Sequence, residues 1–229
     1  MDIYGLQKLT LLDYPGLTAC TVFLPACDFR CPFCHNWELI DGSAEPETDD
    51  EQLMKFLEKR RGILEGVAIT GGEPTLNKDL PKLAQRIKDM GYKLKLDTNG
   101  NHPDMLEYML KNGLVDYVAM DIKNSAEKYA VTIGLNSFDV SGVSRSIELL
   151  MNGSIDYEFR TTVVKQLHDE ESFRGIGEWI RGAKNYYLQA FTDRDTVPFA
   201  GLEAPDNGTM QKYLDVVMPY VKHAQLRGV

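Results

Sequence analysis

The stretch LTACTVFLPACDFRCPFCHN, residues 17–36, joins a strand-like apolar run to a loop with three of the chain's four cysteines. The run LTACTVFL (17–24) has the β-branched and aromatic residues that are typical of a buried strand. Cys27, Cys31 and Cys34 follow it in the pattern Cys-x3-Cys-x2-Cys. In a reducing compartment, cysteines at this spacing indicate a metal site or a catalytic site before they indicate disulfides.

Three thiolates are one ligand short of what structural zinc sites and closed iron–sulfur clusters usually have. Zinc would need a fourth ligand, for which His35 and Cys20 are the nearest candidates. A four-iron cluster on three thiolates would leave one iron open, and an open position is typical of catalytic metal sites. Cys20 lies inside the apolar run, where a free cysteine commonly behaves as a small buried hydrophobe. If Cys20 were a ligand, the open position would be lost.

The composition limits the classes of function. A chain of 229 residues with 43% hydrophobic and 26% charged residues can form one α/β domain, so we expect a single domain over residues 1–229. The formal net charge of −9 argues against nucleic acid as a partner, because phosphate binding needs clustered positive charge. No apolar run of about 18 residues is present, and the first residues do not resemble a signal peptide. We therefore predict a cytoplasmic protein that does not bind a membrane.

Strand-like and helix-like segments alternate along the chain. The strand-like segments are residues 17–24, 66–70, 93–97, 115–122, 157–164 and 186–191. Amphipathic helical segments, such as 49–62, 79–91 and 206–223, lie between or after them, and the acidic stretch 41–52 is the least structured candidate. This alternation indicates a parallel sheet with helices outside. Six strands are fewer than the eight of a closed barrel, so we predict an open, partial (β/α)6 barrel. A doubly wound sheet is the alternative.

In both folds, ligands lie beyond the carboxyl ends of the strands. The chemical motifs should therefore fall just after strands, and they do. The cysteine loop follows the first predicted strand, and ITGGEPT (69–75) follows the second. Paired glycines allow the backbone to approach a ligand closely, and Glu73 adds a charge there. Taken alone, this segment could also be an ordinary strand-to-helix turn.

Together, Cys-x3-Cys-x-aromatic-Cys and Gly-Gly-Glu-Pro resemble the radical S-adenosylmethionine (SAM) superfamily. The resemblance implies one [4Fe–4S] cluster with three cysteine ligands, Cys27, Cys31 and Cys34. In that superfamily the amino and carboxylate groups of SAM chelate the fourth iron, so the open position is filled by the substrate. Electron transfer from the reduced cluster then cleaves SAM to methionine and a 5′-deoxyadenosyl radical.

A narrower resemblance covers roughly the first 190 residues. The turn Asp13–Gly16, the triplet Cys34–Asn36, LDTNG (96–100) and MDIK (120–123) are similar to the activating enzymes of glycyl-radical enzymes. The similarity is closest to the short anaerobic ribonucleoside-triphosphate reductase activating proteins. It implies a glycyl-radical enzyme as the protein substrate and flavodoxin or ferredoxin as the electron donor. The acidic stretch adds no cysteines, so an inserted ferredoxin-like domain is not expected.

The resemblance also implies which residues bind SAM. They follow predicted strands, and they are Phe33 and His35 beside the last cysteine, Gly71, Gly72 and Glu73 for the methionine amino group, Asp97, Thr98 and Asn99, Asp121 and Lys123, Arg160, and Gln189. Three other interpretations stay open. Asp97–Asn99 with Gly100 could form a capped turn, Lys123 could be solvated, and Arg160 could pair with a core carboxylate.

Two alternatives to an activating enzyme also stay open. The chain could be a radical SAM enzyme that acts on a small molecule, of the 7-carboxy-7-deazaguanine synthase type. It could instead be a non-catalytic protein with zinc or a closed cluster.

Many members of the superfamily have glycine before the first cysteine, whereas this chain has Ala26. The loop is therefore expected to turn differently at that point, with the ligand spacing unchanged.

Overall fold

The two apolar segments at residues 17–24 and 66–70 form neighbouring parallel strands, as their composition predicts. In the computed structural model, which describes residues 1–229, the pairing runs in register from Ala19 opposite Gly66 to Leu24 opposite Gly71. Because the strands are parallel and end together, the segments that follow them leave from the same edge of the sheet. The cysteine loop and the Gly-Gly-Glu segment are those two segments.

The residues group into two units. The first contains Met1–Asp28, Glu38–Thr98 and His102–Val118, and the second contains Phe29–Trp37, Asn99–Asn101 and Ala119–Val229. None of the helices is long and apolar enough to cross a bilayer. The expectation of one domain over residues 1–229 stays a prediction.

The first unit contains most of the strands and helices of the N-terminal half. They are β1 (Asp2–Ile3), β2 (Gly5–Thr10), β3 (Ala19–Leu24), α1 (Glu38–Asp41), β4 (Thr48–Asp49), α2 (Asp50–Lys59), β5 (Gly66–Gly71), a 3-10 turn (Pro74–Leu76), α3 (Leu80–Asp89), β6 (Lys93–Thr98) and α4 (Pro103–Lys111). The strand order is β2-β3-β5-β6, with β2 antiparallel to β3 and the other pairs parallel. β1 and β4 form a separate antiparallel pair.

Local sequence signals account for the helices of this unit. The Asp49 side chain accepts a hydrogen bond from the Gln52 backbone N–H at 2.7 Å, so it caps the first turn of α2. The α3 helix buries Leu80, Leu83 and Ile87, which lie on one face at helical spacing. These apolar faces pack on the sheet, and the motifs lie after the carboxyl ends of the parallel strands.

The second unit contains the remaining elements. They are β7 (Tyr117–Asp121, with its last three residues in this unit), a 3-10 turn (Ala126–Lys128), α5 (Tyr129–Thr132), α6 (Ser141–Met151), β8 (Asp156–Val163), α7 (Glu170–Trp179), β9 (Tyr186–Ala190), α8 (Asn207–Val217) and β10 (Ala224–Arg227). The strand order is β7-β8-β9-β10, and β8, β9 and β10 are parallel.

The six predicted strands correspond to β3, β5, β6, β7, β8 and β9, so the α/β class with parallel strands and intervening helices is confirmed. The count of six omitted β2 and β10, as well as the short pair β1 and β4. Part of the acidic stretch 41–52 is also regular structure, because β4 pairs with β1 and Asp50 begins α2.

β10 is fixed by a long-range ion pair rather than by an apolar pattern of its own. The Arg227 guanidinium donates two hydrogen bonds to the Glu158 carboxylate of β8, at 2.8 and 2.9 Å. It also lies 3.3 Å from the ring centroid of Tyr187 on β9. Glu158 is buried, and Arg227 gives its carboxylate a charged partner.

We expect Arg227→Met to lower the free energy of unfolding by about 2 kcal/mol, because it removes two charged hydrogen bonds from the buried Glu158 carboxylate. Urea denaturation of the apoprotein measures the change. The double variant Glu158→Gln with Arg227→Met should recover part of the loss, since no buried charge then remains. A single variant as stable as the wild type would contradict this assignment.

Candidate active site

The two glycines after β5 bring its end against the segment that leads to Cys27. The Gly72 N–H donates to the Leu24 carbonyl oxygen at 2.9 Å, and the Glu73 N–H donates to the Ala26 carbonyl oxygen at 2.7 Å. A Cβ atom on Gly71 or Gly72 would overlap the backbone of Leu24 or Ala26. The glycines are therefore required by contact between two backbones, in addition to any role in SAM binding.

Ala26 has a left-handed backbone with φ of 66° and is the one non-glycine residue in that region. This conformation is unfavourable for residues with a Cβ atom. The expectation that the loop turns differently at Ala26 is therefore wrong. The loop makes the turn that glycine would make, and alanine makes it with strain.

Glu73 is buried, and one of its carboxylate oxygens accepts three hydrogen bonds. Its Oε1 accepts hydrogen bonds from the Thr75 N–H at 3.0 Å and from the Thr98 hydroxyl at 2.8 Å. The Thr75 hydroxyl donates to the same oxygen. Because charged hydrogen bonds of this kind fix geometry, Glu73 has a defined orientation. In this structure the Thr98 hydroxyl is directed to Glu73.

Asp97 lies on the same face of β6 as Lys95, two residues earlier. The Lys95 ammonium donates to the Asp97 carboxylate, and both side chains are largely buried. The end of β6 thus presents a paired carboxylate beside the donor Thr98.

His102 is a residue that the sequence analysis did not single out. Its Nε2 lies 3.0 Å from Oδ2 of Asp28, the residue that follows Cys27. The hydrogen bond to Asp28 raises the pKa of His102 above its ordinary value, against the effect of burial. The Cys27 sulfur lies 3.9 Å from the other carboxylate oxygen of Asp28. His102 therefore anchors the start of the cysteine loop within the first unit, through a contact that sequence spacing does not reveal.

In the second unit, the end of the cysteine loop docks on the segment after β9. The His35 Nε2 lies 2.6 Å from the Thr192 carbonyl oxygen, and its ring stacks on Phe191 at 5.6 Å. These contacts fix the ring of His35. Gln189 lies on β9 opposite Thr162. It makes no hydrogen bond with Asp121, Lys123 or Arg160.

Asp121 is held between two cations at the ends of β7 and β8. Its carboxylate accepts hydrogen bonds from Lys123 Nζ at 2.8 Å and from Arg160 Nε at 2.6 Å. Burial alone would raise the pKa of Asp121, but the charges of Arg160 and Lys123 outweigh it and lower that pKa well below its ordinary value. The group therefore has one carboxylate and two cations. Arg160 pairs with a carboxylate, as one of the alternatives expected, and Lys123 is not solvated.

Lys123 also faces the cysteine loop. Its Nζ lies 5.9 Å from the ring centroid of Phe33. Burial raises the pKa of the Cys31 thiol to about 11, and the positive charge of Lys123 opposes that rise. Phe33, Cys31 and the group around Asp121 thus lie close together in the second unit, and their binding of SAM stays a prediction. This arrangement can stabilise a thiolate or another anion.

Asn99 forms a turn with its own neighbours. Its side-chain Oδ1 accepts a hydrogen bond from the Asn101 N–H at 2.9 Å, and Gly100 has a positive φ of 78°. The Gly100 carbonyl accepts a hydrogen bond from the Ser146 hydroxyl at 2.6 Å. The capped-turn alternative therefore describes this segment in the structure, and SAM binding by Asn99 stays a prediction.

The sequence profile of the Radical SAM superfamily matches residues 21–173. The chain therefore belongs to the radical SAM superfamily and is a radical SAM enzyme. Membership in the superfamily implies a [4Fe–4S] cluster and SAM. The match includes the cysteine loop, the Gly-Gly-Glu segment and the charged group around Asp121.

Two curated proteins are similar over most of this chain. A Methanocaldococcus jannaschii protein, provisionally named a glycyl-radical enzyme activating enzyme, is 29% identical over 99% of this chain and 96% of its own length. The pyruvate formate-lyase-activating enzyme of Clostridium pasteurianum is 26% identical over 80% of this chain and 77% of its own length.

Among solved structures, SuiB of Streptococcus suis bound to SAM is similar with a TM-score of 0.67 and 14% identity. The match covers 91% of this chain and 52% of SuiB, so the chain spans about half the length of that protein. At this identity the likeness concerns the fold. The predicted fold class, a partial barrel of parallel strands with helices outside, is confirmed.

We expect Ala26→Gly to raise the free energy of unfolding by about 1 kcal/mol, because glycine adopts positive φ without strain. Ala130→Gly in α5 is the control, since it should lower stability by about the same amount in a helix. Thermal unfolding of the two apoproteins measures both changes. Equal destabilisation by both variants would mean that Ala26 is not strained.

Thr98→Val should weaken SAM binding about 10-fold, because it removes a hydrogen bond to the charged Glu73. Thr98→Ser, which keeps the hydroxyl, should bind SAM as the wild type does. Equilibrium binding to the reconstituted protein, at equal iron content, measures the affinities.

The double variant separates this indirect role from direct contact of Thr98 with SAM. In a Glu73→Gln background, Thr98→Val should add little, because both changes act through one carboxylate. Additive losses would instead favour direct contact between Thr98 and SAM.

Proposed function

We propose that this radical SAM enzyme activates a glycyl-radical enzyme by generating a radical on one of its backbone glycines. The observation that carries the proposal is the similarity of nearly the whole chain to the Methanocaldococcus jannaschii protein named as such an activating enzyme. The similarity to the pyruvate formate-lyase-activating enzyme supports it. The motifs DYPG (13–16) and CHN (34–36) point the same way.

Cys27, Cys31 and Cys34 are free thiols, and they supply the thiolate chemistry that a cluster with one open iron requires. Cys20 is completely buried in β3, and burial raises the pKa of its thiol to about 12. His35 is engaged with Thr192 and Phe191. The environments of the two nearest candidates for a fourth ligand thus support an open iron rather than a closed zinc site.

Cys27, Cys31 and Cys34 would hold the cluster, which would supply the electron for reductive cleavage of SAM and so for hydrogen abstraction from the partner's glycine. The chain's own residues hold and orient the reactants. Lys123 makes the buried Cys31 thiolate less costly, because an opposite charge favours the ionised form. Glu73 offers an oriented carboxylate to the methionine amino group. Gly71 and Gly72 let the Glu73 backbone approach the cysteine loop.

The positive group in the second unit is suited to the SAM carboxylate. Lys123 and Arg160 both donate to Asp121, and we assign these two cations to the SAM carboxylate. We assign Phe33 and His35 to the adenosyl side of the cofactor. The remaining SAM contacts in the proposal come from strand ends and the turn after β6, and they are Asp97, Thr98, Asn99 and Gln189.

The partner assigned in this proposal is anaerobic ribonucleoside-triphosphate reductase, with flavodoxin or ferredoxin as the electron donor. This assignment rests on the motifs of the N-terminal third of the chain. The proposal also includes a cytoplasmic location and one radical SAM domain over residues 1–229. No nucleic acid or membrane takes part.

The first test is SAM cleavage by the anaerobically reconstituted, dithionite-reduced protein. We expect 5′-deoxyadenosine and methionine from the wild type and none from Cys31→Ala, which lacks a cluster ligand. Cys20→Ala is the matched control and should keep both cluster and cleavage. If Cys20→Ala also loses its cluster, the site is closed and the open-iron assignment is wrong.

The second test adds a glycyl-radical enzyme to the same reaction. An electron paramagnetic resonance (EPR) doublet from a glycyl radical on anaerobic ribonucleoside-triphosphate reductase is the expected result. Efficient SAM cleavage without a radical on any glycyl-radical enzyme, but with turnover of a small molecule, would contradict the activating function.

A further inference from the structure

The hydroxyl of Tyr129 is the one buried side-chain oxygen or nitrogen without a hydrogen-bond partner. Buried polar groups almost always have a partner, so an exception calls for an explanation. Tyr129 is the first residue of α5 and is completely buried. The Lys123 backbone interacts with the hydroxyl oxygen and lowers the pKa of Tyr129, and no acceptor is present for the hydroxyl hydrogen.

Tyr129 lies against the cysteine loop within the second unit. Its ring makes an edge contact with Phe29, with the centroids 6.2 Å apart. A few residues later, the Ile133 carbonyl oxygen accepts a hydrogen bond from the Arg30 N–H at 2.9 Å. A Cβ atom on Gly134 would overlap the Arg30 backbone. The segment from Tyr129 to Gly134 is therefore packed tightly against the residues that precede Cys31.

The groups that act electrostatically on the hydroxyl are those of the proposed site. Burial raises the pKa of Tyr129, Lys123 opposes that rise, and negative charge at Cys31 and Asp121 adds to it. A phenol hydroxyl is a hydrogen-bond donor, and this one has no acceptor in the protein. Asp121 already accepts from two cations, whereas Cys31 is a buried sulfur.

We propose that the Tyr129 hydroxyl donates a hydrogen bond to the cluster at its Cys31 sulfur and thereby raises the reduction potential of the cluster. The proposal rests on the proposed function, because it requires Cys31 to be a cluster ligand. Reduction adds negative charge to the cluster, and a hydrogen-bond donor stabilises that charge. Hydrogen bonds to the sulfurs are among the factors that set cluster potentials. Tyr129 is in this sense a tuning residue that touches the cofactor.

The test compares Tyr129→Phe with Tyr186→Phe in the reconstituted holoenzyme. Tyr186 is an equally buried tyrosine whose hydroxyl lies 2.7 Å from the Thr161 hydroxyl. Its pKa is shaped by burial and by Thr161, with no contribution from a cysteine. An EPR-monitored redox titration at equal iron and sulfide content should give a more negative midpoint potential for Tyr129→Phe. Tyr186→Phe should match the wild type. A Tyr129→Phe potential equal to that of the wild type would overturn the proposal.

A second measurement needs no comparison of potentials. In the reduced wild-type cluster, pulsed EPR should detect a strongly coupled proton that exchanges with deuterium, and Tyr129→Phe should lack it. Persistence of this signal in Tyr129→Phe would assign the donor to another group and reject Tyr129.

In the apoprotein, Tyr129→Phe should unfold no more readily than the wild type, because the hydroxyl has no protein partner to lose. A destabilised apoprotein would mean that it has one.

Failure of this proposal is distinguishable from failure of the proposed function. A wild-type protein that binds a cluster and cleaves SAM, but whose potential does not depend on Tyr129, overturns the tuning role alone. A wild-type protein that assembles no [4Fe–4S] cluster overturns both.

Discussion

The pairing of two backbones at the ends of β3 and β5 is the constraint on which the first unit's site depends. Both strands are parallel and end at the same level, with Leu24 opposite Gly71. Hydrogen bonds from Gly72 and Glu73 then continue the pairing beyond the sheet, as far as the Ala26 carbonyl. This contact leaves no room for a Cβ atom on either glycine. It also fixes Glu73 beside the chain that leads to Cys27, so the sheet register itself positions the carboxylate.

The second unit depends on a different interaction, the attraction between Lys123 and its anionic neighbours. Removing a charge from water is unfavourable unless an opposite charge accompanies it. Asp121 supplies that charge for both Lys123 and Arg160. Because Lys123 also acts on Cys31, the charged group links strand ends to the cysteine loop. Electrostatic attraction therefore positions the charged residues of the second unit, whereas backbone hydrogen bonds position the Gly-Gly-Glu segment of the first unit.

Local sequence signals predicted the elements whose formation depends on neighbouring residues. The apolar runs of β3 and β5, the cysteine spacing and the paired glycines are all visible in short windows. β10 could not be predicted in this way, because it is fixed by Arg227 and Glu158, which are far apart in the chain. β2 is an antiparallel strand whose Leu9 is exposed, so its pattern lacks the continuous apolar run of a buried parallel strand.

The candidate site divides in the same way. Residues inside motifs, such as Glu73 and Lys123, were predicted together with their position after strands. The contact of His102 with Asp28 joins residues 74 positions apart, and no motif spacing encodes it. Tyr129 was missed for another reason, since an aromatic residue in an apolar segment indicates core packing. Only the three-dimensional structure shows that its hydroxyl has no partner.

The charges around Cys31 give a physical reason why the cluster and SAM should bind next to each other. Lys123 and Arg160 both donate hydrogen bonds to Asp121, and the positive charge of Lys123 also acts on Cys31. Burial keeps the free Cys31 thiol protonated, with a pKa of about 11, so the thiolate forms when it ligates a metal. In the proposed function, the thiolate and the SAM carboxylate would both lie beside the positive charge of Lys123. Reduction adds a further negative charge there. Lys123 through its charge and Tyr129 through its hydrogen bond would both favour the reduced state from which SAM cleavage begins.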